Sequence, residues 1–226
     1  MRLTIANKNY SSWSLRPWVL LRERGIAFQE VLLPFAAAQG HAPAFRAISP
    51  TGKVPVLDDG PIRVWDSLAI AEYLAERDPG VWPTDRSARA WARSAAAEMH
   101  SGFAGLRSQC SMSCGVRVRL TVRPEADLAR VDSLWSEGLR RFGGPFLAGA
   151  AFTAVDAFFT PVAFRLQTYG IELGAESNAY SQRLLDRPAM REWYAAALAE
   201  TTRDVEHDAD VEQAGEVIAD FRAKPA

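Results

Sequence analysis

The short link Arg24–Ala27, set between a helical pattern and a strand pattern, constrains this chain more than any other stretch. Before it, Leu3-Thr4-Ile5-Ala6 alternates like a strand. Leu15, Trp18, Val19 and Leu21 then recur at helical spacing up to Gly25, a C-cap residue. After it, Phe28–Leu33 (FQEVLL) reads as a second strand. A strand–helix–strand crossover with so short a return favours parallel pairing. Ser11, Ser12 and Ser14 lie where the first strand enters the helix. Backbone N–H groups there have no helical partner, and the helix dipole is positive at that end. Serine is a preferred N-cap in any such turn, and the same place can hold an anion or offer a hydroxyl to a thiolate. The residues alone leave both readings open.

Pro34–Ile48 reads as an Ala-rich loop with one short helix around Pro43–Ala47. In Val54-Pro55-Val56-Leu57 a proline opens a strand, one of the few strand positions that tolerates it. Asp58-Asp59-Gly60-Pro61 signals a turn, and Ile62–Trp65 returns antiparallel. Asp66-Ser67 offers an N-cap to the run Leu68, Ile70, Ala71, Tyr73 and Leu74, which Pro79-Gly80 ends. Beyond the link Val81–Asp85 the pattern is helical: Ser87 to about Gln109, Glu125–Phe142, Thr153–Tyr169, Ser181–Asp186 and Pro188–Glu200. Thr153 and Asp156 fit a capping box. No stretch after Asp85 reads as strand, and the polar residues from Thr201 on are expected to wrap the surface or fray. The expectation is an α/β domain over 1–80 and an all-α domain over 86–226.

Composition narrows the function classes. The chain carries 26 Lys and Arg against 27 Asp and Glu, a balance that recommends neither nucleic acid nor an anionic membrane as partner. No apolar stretch is long enough to cross a bilayer, and no basic-then-apolar leader precedes the first strand pattern. Two cysteines in 226 residues make no disulfide framework. A cytoplasmic location is the expectation. His41, His100 and His207 show no ligand spacing, so no metal site is expected.

Four features in this order resemble the cytosolic glutathione S-transferases over essentially the whole length. They are Ser11-Ser12-Trp13-Ser14, then Ser49-Pro50 with Lys53-Val54-Pro55, then Asp66-Ser67, and finally Thr153 with Asp156. The resemblance implies a thioredoxin-like α/β domain followed by an all-α domain, glutathione as co-substrate, and a homodimer. It implies a cis Pro55 that aims the Val54 backbone at the glutathione peptide. It also implies an Asp66-Ser67 pair for the γ-glutamyl group and Lys53, with Gln39 a weaker candidate, for the glycyl carboxylate. A helix N-terminus and a hydroxyl suit the γ-glutamyl carboxylate, and aspartate suits the ammonium.

The serine cluster followed by Arg16 is similar to the zeta-type and related bacterial branches, which implies that Ser11 holds the glutathione sulfur as thiolate. Ser12 and Ser14 stay as alternatives, because shifting the helix start by one residue exchanges them. Trp13 departs from the pattern, standing where maleylacetoacetate isomerases carry a cysteine, and so weighs against that activity and against redox branches. Tyr10 precedes the serines and is read as part of the electrophile site rather than as a catalytic tyrosine. The resemblance places the electrophile between Tyr10 and Trp13 on one side and Met99, Phe103, Arg107 and Met112 on the other. Met99, Phe103 and Arg107 lie four apart, the spacing of one helix face. The function so implied is serine-activated conjugation of glutathione to a small electrophile. A non-catalytic glutathione carrier and a glutathione-dependent isomerase or reductase are the rival readings.

Overall fold

The computed structural model describes residues 1–35 and 43–224, so Gln39 and His41 lie outside the described residues. The first unit is a four-stranded sheet of order β2-β1-β3-β4. Strand β1 (Arg2–Ile5) pairs in parallel with β2 (Gln29–Leu32) and antiparallel with β3 (Val56–Asp59), which pairs antiparallel with β4 (Ile62–Val64). Helix α1 (Ser12–Glu23) makes the crossover, α2 (Pro43–Ile48) precedes β3, and α3 (Ser67–Ala75) follows β4. Leu3 and Ile5 of β1 are fully enclosed with Leu15, Trp18 and Val19 of α1 and Ile70 and Leu74 of α3, and Thr4 between them is buried as well. Asp58 and Asp59, expected in the turn, instead extend β3. Arg2 and Arg63 both pair with Asp58, and only Gly60-Pro61 is left to turn, with Gly60 at φ 59°.

The second unit contains α4 (Arg86–Ser101), α5 (Ala104–Gln109), α6 (Glu125–Phe142), α7 (Ala154–Tyr169), α8 (Ala175–Leu185), α9 (Pro188–Ala199) and α10 (Val205–Ala214). Helix α7 is buried on every side except at Gln167, as expected for an apolar helix at the centre of a bundle. It packs on α1, α4 and α8, and one continuous apolar cluster joins the sheet to the helices. At the head of α7 the capping box is present: Asp156 accepts from Thr153 N–H at 2.9 Å, and also from Leu147 N–H at 3.0 Å and the Tyr180 hydroxyl at 2.8 Å.

Three expectations about the second unit are corrected. The helix expected from Ser87 to Gln109 breaks at Gly102-Phe103, where Phe103 takes a left-handed φ of 56°. A Cβ on Gly102 would stand 2.8 Å from the Glu98 carbonyl oxygen, so the chain turns out of α4 at the one residue without a side chain. Met99 and Phe103 therefore do not continue one helix face into Arg107. The helical domain also carries a two-stranded ribbon: β5 (Val116–Leu120) pairs antiparallel with β6 (Gly215–Asp220). The described residues beyond Thr201 do not fray: they form α10 and β6, largely exposed on the surface.

Candidate active site

The strand-to-helix turn after β1 holds the serine cluster. Ser11 is the N-cap of α1, its oxygen accepting from Ser14 N–H at 3.4 Å while its hydroxyl donates to Ser14 Oγ at 2.7 Å. Ser14 Oγ in turn accepts from Ala6 N–H at 3.2 Å, tying the helix back to the end of β1. The chain of groups is thus Ala6 N–H, Ser14 and Ser11, all buried. Ser12 donates its backbone N–H to the Tyr10 carbonyl at 2.9 Å, and its hydroxyl, which lines a cavity, bonds to no described residue.

Two cavities share Trp13, Lys53 and Val54 as a common wall. One, of about 510 Å³, is lined by Thr51, Pro55, Trp65, Asp66, Ala69 and His100 in addition. The Val54-Pro55 bond is cis, as the sequence pattern implied, and so is Trp65-Asp66. Asp66 caps α3, accepting from Leu68 N–H at 2.9 Å and Ala69 N–H at 3.4 Å, and its second oxygen lies 3.2 Å from His100 Nε2. Partial burial holds the His100 pKa below its ordinary value, against the pull of Asp66. Beside it Ser67 is fully buried and its hydroxyl has no partner. Buried hydroxyls normally find one, which marks this group at the N-terminus of α3, next to the cavity-lining Asp66, as a candidate ligand contact.

The second cavity, of about 350 Å³, takes Tyr10, Ser11, Ser12, Phe35 and Phe45 from the α/β side and Arg107, Ser111, Met112, Arg165 and His207 from the helical side. Of the residues expected around the electrophile, Tyr10, Trp13, Arg107 and Met112 meet here. Met99 and Phe103 line neither cavity and belong to the apolar core. Trp13 stands between cations, with the Arg16 guanidinium 4.1 Å and that of Arg107 4.8 Å from its ring centroid. Arg107 owes its place to the helix break: its Nη2 donates to the freed carbonyls of Met99 and His100 at the end of α4.

Arg165, His207 and Phe35 were not singled out from sequence. A lone arginine directly after the run AVDAFFTPVAF was the available signal for Arg165. His207 reaches the cavity only because α10 folds back, its ring stacking on Phe35 at 4.7 Å and its Nδ1 lying 2.7 Å from Asp204. Among the described residues no group of three or more His, Cys, Asp or Glu is placed to hold a metal ion, and no helix is long and apolar enough to cross a membrane.

Comparison with known proteins bears on this arrangement. The family model for the glutathione S-transferase N-terminal domain matches residues 10–77, and that for the C-terminal domain matches 89–196. Glutathione S-transferase T1 of Arabidopsis thaliana is 30% identical over 158 residues, 63% of this chain. That match spans 64% of the plant protein, less than two thirds of its length. A maleylacetoacetate isomerase of Rhizobium meliloti is 30% identical over 73% of this chain and 82% of its own length. Among solved structures, a theta class glutathione S-transferase of Xanthomonas axonopodis pv. citri, with glutathione bound, is 27% identical with a TM-score of 0.63, covering 88% of this chain and 99% of that one. With both of the family's domains matched in order and a relative aligned over most of its length, this chain belongs to the glutathione S-transferase family.

Proposed function

We propose that the chain binds glutathione across the two cavities and transfers its thiolate to a small electrophile. One observation carries this reading: Asp66 at one end of the cleft, with the partnerless Ser67 hydroxyl buried next to it, and the Ser11–Ser14 relay at the other, are joined by the wall of Lys53, Val54 and Trp13. In this reading Ser67 and the N-terminus of α3 receive the γ-glutamyl carboxylate, Asp66 its ammonium, the Val54 backbone the peptide, and Lys53 the glycyl carboxylate.

The sulfur then lies at Ser11. The hydroxyl of Ser11 donates to Ser14. Turning both rotors lets Ser14 donate to Ser11 and Ser11 to the sulfur, while Ala6 N–H still holds Ser14. Each donor in such a row polarises the next. Ser14 is a positioning residue in this scheme, and Ser12, with its uncommitted hydroxyl, is the alternative donor. The glutathione transferase homologues and the glutathione-bound neighbour support glutathione as the co-substrate.

An isomerase reading draws on the Rhizobium relative, and Trp13 in the serine cluster weighs against it. Incubating the protein with glutathione and 1-chloro-2,4-dinitrobenzene, with mass analysis of the products, tests the proposal. A thioether conjugate formed faster than without protein is expected. A panel of activated electrophiles that yields only unchanged glutathione or its disulfide overturns transfer.

A further inference from the structure

The electrophile side of the second cavity is lined by cations and, among the described residues, by no acid; the charges of Asp127 and Asp66 reach Arg107 and Arg16 from outside it. Arg107 and Arg165 line it, and Arg16 lies behind Trp13. None of the three arginines makes an ion pair with a described residue. Arg165 is 4% exposed and gives its Nε to the Cys110 carbonyl at 2.8 Å, leaving the buried Nη1 without an acceptor. Nε of Arg107 and both Nε and Nη1 of Arg16 are likewise buried and unpartnered. The guanidiniums also feel one another. Burial pushes Arg16 well below its ordinary pKa and Arg165 down to about 10, and the repulsion of Arg107 adds to both. Asp127 is the acid whose charge reaches Arg107, but it is engaged with Leu106 N–H at 2.7 Å.

Unpaired buried guanidinium donors cost stability, and an anionic ligand that accepts from them offsets that cost. The two residues that line the cavity come from the helical side, opposite Lys53. They are different residues from those assigned to the glutathione carboxylates, although Lys53 lines the same cavity. Trp13, Phe35 and Met112 give the same cavity apolar and aromatic wall, beside the polar Ser11, Ser12, Ser111 and His207. We infer that the electrophile this site takes carries a carboxylate, seated on Arg107 and Arg165, with an unsaturated or aromatic body against Trp13 and Met112. This rests on the glutathione reading for the position of the sulfur, but the cationic subsite exists independently of it. Carboxylate geometry matches a guanidinium fork, which favours it over a neutral carbonyl.

Calorimetric binding of S-benzylglutathione and S-(4-carboxybenzyl)glutathione tests the inference, with free 4-methylbenzoate and 4-methylbenzamide titrated alongside. A charge-assisted bond in a buried site predicts that each acid binds at least about tenfold tighter than its neutral partner. Arg165→Met should abolish that difference while leaving the affinity for S-benzylglutathione within about twofold. The wild-type comparison decides even if the variant does not fold. Equal binding of acid and neutral ligands overturns the inference, as does a preference that survives in folded Arg165→Met. Acid preference among the free ligands, with neither conjugate bound, keeps the subsite and overturns the glutathione reading. Binding of none of the four overturns both.

Discussion

The Tyr10 hydroxyl accepts from Arg222 Nη1 at 3.0 Å and donates to Asp208 at 3.1 Å, joining the turn before the first helix to the last described strand's exit. Burial and the Asp208 carboxylate raise the tyrosine pKa to about 12, while the two acids Asp208 and Asp220 raise that of Arg222. A phenol so engaged is a latch on the C-terminal segment, which supplies His207 to the cavity wall.

Tyr10→Phe is therefore expected to loosen that segment without touching the sulfur. Hydrogen exchange should quicken in α10 and β6, and the KM for electrophiles should rise. The pKa of bound glutathione should stay where the wild type has it. A rise of that pKa in Tyr10→Phe would make the tyrosine, not a serine, the group that holds the thiolate.

Asp66 combines two jobs that one substitution separates. Asparagine is as good an N-cap as aspartate, so Asp66→Asn should keep the bonds to Leu68 and Ala69 and shift stability by no more than about 0.5 kcal/mol. Loss of the charge should nevertheless weaken glutathione by roughly tenfold, the value of a charge-assisted bond to the ammonium. Calorimetric affinity that is unchanged in this variant would reduce Asp66 to a cap.

Asp156 sets a pH dependence of stability. Burial raises its pKa to about 6 despite the bonds from Leu147, Thr153 and Tyr180. The unfolded carboxyl titrates near ~3.9, so between about pH 4 and 6 the folded state holds the extra proton. The contribution of this group is full at low pH and is lost as pH rises through 6. Urea midpoints of the wild type, referred to Asp156→Asn, should decline over that window and level off above it. Asp156→Ala should cost about 3 kcal/mol or more at neutral pH, because it leaves several buried donors unpaired.

Much of this architecture is readable from local signals, and the exceptions have physical causes. Asp66 before an apolar-periodic run and Thr153 with Asp156 announce helix starts because capping is a local matter of one turn. Val116-Arg117-Val118-Arg119-Leu120 alternates as a half-buried strand should, but its partner β6 lies about a hundred residues on in a polar stretch. The strand is legible only once that pairing is known. The break at Gly102 was masked by helix formers on either side, and with it the way Arg107 turns back onto Met99 and His100. Arg165 and His207 join the site through long-range packing that periodicity does not report.

The central claim is that Ser11, backed by Ser14, holds glutathione as a thiolate. A hydrogen bond to a charged group is worth about 1.5–3 kcal/mol, or roughly one to two pKa units. The direct measurement is an ultraviolet titration of the thiolate of glutathione bound to the wild type and to Ser11→Ala. The account predicts a bound-thiol pKa at least about one unit below the free value near ~8.5 in the wild type, returning toward it in the variant. Glutathione bound by the wild type with an unshifted pKa, or a depressed pKa that survives Ser11→Ala, would contradict it.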